Sequence, residues 1–305
     1  MDLAGLPGSA TTSASASSGG GSSSASSAGS GGAGGSSTSS AGSSSPSSSA
    51  ESSSSTGSSS STGTSSSAGS SSGTGGAGPT TVVAGELLVN LDVNDATAGT
   101  ASWTNKGTLG GAFAKQGNPT KGTTGGKDAI VFSGADDVYV GPKSTGTIEG
   151  KDDRTIELWV LKPTVDNNEQ AMLSWSDRKN QTNGRMMSFN YCKGIASSAI
   201  SHWGDPDDLD WGSPGAAPSQ NQWHHLVYTF DGTKAAVFAD GVKMNEKTVM
   251  IDTRGGFSIN LAAAREGNGF NKYGTLSIAV ARVHSKALTE SEIKLNYDAE
   301  KTRFQ

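Results

Sequence analysis

The stretch NQWHHLVYTFDGTKAAVFADGVK, Asn221 to Lys243, decides the fold. From Trp223 to Phe230 the side chains are mostly aromatic, β-branched or aliphatic, a composition suited to a pleated surface. Asp231-Gly232 then turns the chain, Ala235 to Ala239 returns, and Asp240-Gly241 turns it again. Two Asp-Gly pairs bounding strand-like runs mark consecutive β-hairpins. His224 and His225 are half of the four histidines in the chain, and as neighbours they invite a metal or acid–base reading. Strand geometry argues against it. Neighbours point to opposite faces, so Trp223, His225, Val227 and Thr229 share one face and His224, Leu226, Tyr228 and Phe230 the other. The two rings cannot grip one ion between them. One is expected against the core with its nitrogens satisfied, and the other outward.

Working outward, strand signals recur along the chain. They are GELLVNLDV (85–93), DAIVFSG (128–134), DVYVGP (137–142), TIELWVLKP (155–163), AMLSWSD (171–177), RMMSFNYC (185–192) and SSAISHW (197–203). FSINLAA (257–263) and GTLSIAVARVHS (274–285) follow the hairpins. Many short strands separated by turns predict an all-β antiparallel sandwich. RGG (254–256) and the Gly/Asn cluster at 266–274 read as turns without a site. A single helix is expected near ALTESEIKLNY. There Thr289 precedes Glu292 by three residues, a capping box, with Leu288 as the staple residue and Ile293 and Tyr297 one turn apart.

Composition divides the chain in two. Residues 1–80 are almost entirely Ser, Gly, Ala and Thr, with no aromatic residue and two charges, Asp2 and Glu51. Such a tract has too little apolar surface to offset the entropy lost on folding. It is expected to be a disordered tether, its ends roughly 50 Å apart on average, or a glycosylated stalk. The folded domain is expected over 81–305. It is mildly acidic within a chain of net charge −5 and has no basic stripe, which argues against a nucleic-acid partner. No apolar run is long enough for membrane insertion. The opening MDLAGLPGSATTSAS has neither a basic nor an apolar leader region, so no signal peptide is read there. Cys192 is the single cysteine, which excludes an internal disulfide and reads as a small buried hydrophobe.

Four landmarks in order carry a resemblance: AIVFSGADDVYVG (129–141), WHHLVYTFDG, FADG and ARVHSKALTESEI. Together they resemble the laminin-G-like jelly-roll domains of the concanavalin A-like lectin/glucanase superfamily. The resemblance covers most of 82–300. It implies a jelly-roll sandwich with a short C-terminal helix, an early strand pair joined by an acidic turn, an extracellular or cell-surface setting, and binding or adhesion rather than catalysis. Members often carry an acidic pair before the basic residue of the last strand. Here Ala279 and Val280 precede Arg282.

Catalysis finds little support in the residues. Glycoside hydrolysis needs two carboxylates flanking the bond. Glu157 is alone in its strand, with Trp159 and Leu161 on the same face. Over 81–305 neither a G-x-S-x-G elbow, HExxH nor a phosphate-cradling glycine loop occurs. The loop HWGDPDDLDWG (202–212) places Asp205, Asp207, Asp208 and Asp210 between Trp203 and Trp211. Four carboxylates offer oxygen ligands for Ca²⁺, although the spacing is not that of an EF-hand. The favoured reading is a rim loop whose Asp side chains bond local backbone. For a glycan, Trp175, Tyr191, Trp203 and Trp211 offer rings, and Asn190, His202 and Asp208 offer hydrogen bonds. Trp159 and Trp223 read as packing residues, and Trp103 as a loop residue over a sheet edge. NQT makes Asn180 a candidate glycosylation site. The expected function is a non-catalytic binding module for a glycan or other surface ligand. A protein-contact module and a glycoside hydrolase are the alternatives. Oligomeric state is left open.

Overall fold

The computed structural model describes residues 80–97, 101–179, 184–203, 206–213 and 215–305. The tether expected over 1–80 (Thr80 apart), the sequon at Asn180 and the carboxylate of Asp205 lie outside the described residues. Among these residues the strands are, in chain order, β1 (Leu87–Asp92), β2 (Ser102–Thr104), β3 (Ala112–Gln116), β4 (Thr120–Thr124), β5 (Lys127–Ser133) and β6 (Val138–Lys143). Then come β7 (Arg154–Leu161), β8 (Ala171–Trp175), β9 (Met187–Asn190), β10 (Ile200–Ser201), β11 (Trp223–Phe230) and β12 (Lys234–Ala239). The last are β13 (Val242–Thr248), β14 (Ser258–Leu261), β15 (Ala264–Glu266), β16 (Gly269–Asn271) and β17 (Thr275–His284), before helix α1 (Glu290–Phe304).

These strands build two large antiparallel sheets packed as a jelly-roll sandwich. The larger runs β13-β12-β11-β7-β17-β5-β4, with β1 also pairing β17. The smaller runs β10-β9-β8-β14-β6-β3-β2, and β15-β16 is a separate hairpin. In the larger sheet, every residue of β7 and β11 is buried. One face meets the other sheet, and α1 lies over the other. Strands covered on both faces need no polar alternation, which is why TIELWVL and WHHLVYTF read as near-continuous apolar runs. β17 has three partner strands. One edge pairs β7 along most of its length, and the other is shared between β5 at Thr275–Ile278 and β1 at Val280–His284.

The helix begins as its sequence predicts. Thr289 Oγ1 accepts from Glu292 N (3.3 Å), and Glu292 Oε2 accepts from Thr289 N (2.8 Å). Leu288 and Ile293 are buried in one apolar cluster with Val227 and Phe238, the staple contact.

Three local expectations differ from the structure. β5 and β6 are not a pair, because β5 belongs to the larger sheet and β6 to the smaller. The acidic turn carries the chain across. Asp137 fixes it by accepting from Asn118 N (2.6 Å) and Ser133 N (2.7 Å). The Gly/Asn cluster after Ala264 forms a hairpin rather than a plain turn. Trp103 is a fully buried core residue on β2, its Nε1 donating to Asp92 O (3.1 Å). Among the described residues no helix is long and apolar enough to cross a membrane.

Candidate functional site

The two neighbouring histidines part as strand geometry requires, yet both are buried. His225 lies on the outer face beneath α1. Its Nε2 donates to Glu157 Oε1 (3.0 Å), and Asn296 Nδ2 from the helix donates to the same oxygen (3.0 Å). His284 Nε2 donates to Glu157 Oε2 (2.7 Å), and its Nδ1 accepts from Ala84 N (3.3 Å). Burial alone would raise the Glu157 carboxyl. The bonds from His225 and His284 and the nearby charge of Arg282 instead hold it well below the usual carboxylate range. Arg282 pairs with Glu300 of the helix at 2.5 Å, and Trp159 Nε1 donates to Glu300 (2.8 Å). Tyr297 and Phe304 stack on Trp159. The outward histidine therefore belongs to the joint between sheet and helix, and faces no ligand.

The aromatic candidates divide in the same way. Trp175, Tyr191 and Trp211 are fully buried. Trp175 joins the core from β8, Tyr191 from just past β9 and Trp211 from the loop after β10. Tyr191 Oη donates to Ser219 O (2.8 Å) and Trp211 Nε1 to Ser198 O (3.0 Å). Asn190 is buried on the outer face of the smaller sheet, bonded to Ser188 and to Ser197 O. His202 is a core histidine. Its Nδ1 donates to Asp207 O (2.8 Å), its Nε2 accepts from Tyr228 Oη (3.0 Å), and burial pushes its pKa down to about 3. Trp203 alone among these rings is partly exposed, with the Arg178 guanidinium 4.5 Å from its centroid. Cys192 is buried, which raises its thiol to about 12.

The acidic loop works as a seam. Leu209 bridges Ile200 at the edge of the smaller sheet. Asp207 Oδ1 accepts from Met250 N (2.8 Å), and Asp210 Oδ1 accepts from Asn245 Nδ2 (2.7 Å) on β13 and from Gly212 N (2.8 Å). Asp208 accepts from His202 N (2.8 Å), and Lys247 donates to its carbonyl. The three described carboxylates thus face separate donors, tying edge strand β13 to edge strand β10. Among the described residues no three His, Cys, Asp or Glu side chains converge as a metal would require.

A concavity of about 350 Å³ opens at the end of β7 and β11. Leu161, Trp223 and Phe304 give it an apolar floor, and Asn221, Gln222, His224 and Asp240 a polar wall. Two tight turns frame it. Gly125-Gly126 has φ of +55° and +76°, and Asp240-Gly241 has +53° and +77°, the backbone of a type I′ hairpin. A Cβ at Gly125 would meet Leu161 Cδ1 at 2.7 Å, so glycine keeps that side open. Asp240 Oδ2 accepts from His224 Nδ1 (2.7 Å), and its Oδ1 accepts from His225 N (3.0 Å). The sequence marks these residues only as turn and packing positions. The Asp240 side chain folds back across the hairpin to His224, a contact that residue spacing does not announce.

His224 Nε2 lies 2.9 Å from Ser219 Oγ, so Ser219, His224 and Asp240 form a line. The same Nε2 is 3.0 Å from the Ser219 carbonyl, and Ser219 Oγ donates to Gln222 Oε1 (3.0 Å). Nε2 is thus shared between the hydroxyl and the carbonyl of one residue, and the imidazole clasps the loop before β11 to the Asp240 turn.

The family model described as the Concanavalin A-like lectin/glucanases superfamily, of laminin G type, matches residues 132–294. No curated protein matches the sequence. Among solved structures, the chain is similar to the binding domain of Paraclostridial Mosquitocidal Protein 1, with 15% identity and TM-score 0.47, covering 70% of this chain and 52% of that one. It is similar to Domain 4 of AbnA, a GH43 extracellular arabinanase from Geobacillus stearothermophilus, in complex with arabinotriose (17%, TM-score 0.47, 68% and 97% covered). The Botulinum Neurotoxin serotype G binding domain gives 11% and 0.47, with 71% and 51% covered. The chain spans about half the length of the two toxin domains.

Proposed function

The chain belongs to the laminin-G-type family of the concanavalin A-like lectin/glucanases superfamily, and from that premise we propose that it is a non-catalytic, surface-displayed module for glycan recognition. The rim concavity carries the reading. Its volume of about 350 Å³ suits a small ligand, and its apolar floor under a hydrogen-bonding wall suits a sugar ring, which has C–H faces and a hydroxyl edge. Glycoside hydrolysis is disfavoured. Strands β7, β11 and β17 hold one acid between them, Glu157, and its oxygens are bonded beneath α1. A hydrolytic pair needs two carboxyls about 5–9 Å apart in an open groove.

A glycan array probed with the full chain, with and without calcium, tests the proposal. Binding to a neutral oligosaccharide is expected. Gln222→Ala should weaken it about five- to tenfold, the size of one lost hydrogen bond. Absence of binding in both conditions overturns the glycan reading in favour of a module that works through protein contacts. Full binding by the Gln222→Ala protein overturns the placement in the rim concavity.

A further inference from the structure

Four arginines meet at one end of the smaller sheet, drawn from four separate segments. Backbone hydrogen bonds hold the segments together. Arg178 N donates to Arg265 O (2.9 Å), and Arg254 N donates to Arg185 O (2.9 Å). The guanidinium groups of Arg254 and Arg265 both lie against Phe257, at 5.3 and 5.9 Å from its centroid. Two of the four are neutralised. Arg178 forms a two-pronged pair with Glu169, and Arg185 lies 3.0 Å from Asp252. Among the described residues Arg254 and Arg265 have no carboxylate partner within 4.0 Å. The Nε atoms of Arg178 and Arg265 are also buried without an acceptor. Buried donors are satisfied in most proteins, and gathered like charges repel unless an anion lies among them. Three carboxylates of the same segments, Glu149, Asp177 and Glu266, are held by Gly256 N, Gly267 N and Asn271 Nδ2 rather than by these two arginines.

We propose that Arg254 and Arg265, both lying against Phe257, form a second ligand site, for a saccharide bearing a carboxylate. A guanidinium fork matches a planar carboxylate with two parallel N–H bonds. Phe257 and the partly exposed Trp203, which lies over Arg178, supply aromatic surface for the ring of a uronic acid. The site is distinct from the rim concavity, since its residues belong to the segments flanking β8, β9 and β14. The inference rests on the glycan reading and narrows it to acidic sugars at this place.

Calorimetric titration of the full chain with a uronic-acid oligosaccharide, and with its uncharged methyl ester, tests it. The acid is expected to bind about tenfold or more tightly than the ester, whose own binding is confined to the rim concavity. Arg254→Ala with Arg265→Ala should weaken the acid about tenfold or more and flatten its salt dependence. Arg254→Lys, at an exposed position, keeps the charge and loses the fork, so it should show an intermediate loss without disturbing the fold. Gln222→Ala should leave the preference for acid over ester unchanged, since that preference belongs to the arginines. Equal binding of acid and ester overturns the inference, as does unchanged affinity in the double variant or in Arg254→Lys. If neutral glycans still bind through the rim concavity, only this inference fails. If no saccharide binds, the glycan reading fails with it.

Discussion

His202 shows how a polar residue becomes structural. Its ring sits between a carbonyl it donates to and a phenol it accepts from, so the fold needs it neutral. Its folded pKa near 3 lies below the ordinary 6.5. A histidine depressed in this way stabilises the fold fully above pH 6.5, and the contribution is lost as pH falls from there toward 3. Thermal unfolding measured between pH 7.5 and 4 should therefore lose less with falling pH in His202→Gln than in the parent. Parallel slopes would show that this ring does not govern acid sensitivity. At this scale the sequence told which residue types were present, but little about which faced inward. HWGDPDDLDWG looks solvated, yet His202 and Trp211 are in the core. The core-facing partners, such as Tyr228 for His202, lie far away in the chain. Trp159 and Trp223 were legible because they sit inside apolar runs. Arg254 and Arg265 were not, because their shared Phe257 and missing counter-ions exist only once the strands are packed.

Helix α1 acts as a lid on the outer face of the larger sheet, and its contacts explain why that face tolerates Glu157, His225, Arg282 and His284. Each is matched by a helix residue or a neighbour: Asn296, Glu300, or one another. The cap that starts the helix should matter accordingly. Thr289→Ala is expected to cost about 1 kcal/mol, read from the midpoint of urea unfolding. A cost near zero would mean that packing against Trp159 alone sets the helix. The capping box was readable because it depends on residues three apart. The hairpins at the Asp-Gly turns were readable for the same reason. By contrast β2, β3, β4 and the β15-β16 hairpin lie in Gly-rich stretches whose short strands form only by pairing with neighbours, so their composition shows turns and little else.

For the molecule as a whole, the acidic loop closes one side of the sandwich by joining β10 to β13. Because Asp207, Asp208 and Asp210 each hold a backbone or amide donor, added calcium has no formed cluster among them to enter. Melting in millimolar Ca²⁺ and in chelator should give the same Tm. A calcium-dependent rise of about 2–4 °C, the scale of ligand-linked stabilisation, would instead show that these carboxylates bind the ion. The sandwich itself was legible from strand spacing and the order of its landmarks. The division of strands between the two sheets was not, since β5 and β6 are neighbours in sequence and belong to opposite sheets.

The pairing of β17 with three strands has a kinetic consequence. During synthesis β1, β5 and β7 leave the ribosome long before Thr275–His284, the strand that joins all three. Until it arrives, their facing edges remain unpaired and most of the core stays open to water. Long-range closure of this kind slows folding and leaves strand edges free to associate wrongly. The nascent chain therefore passes through a window of vulnerability that ends only when the last strand inserts.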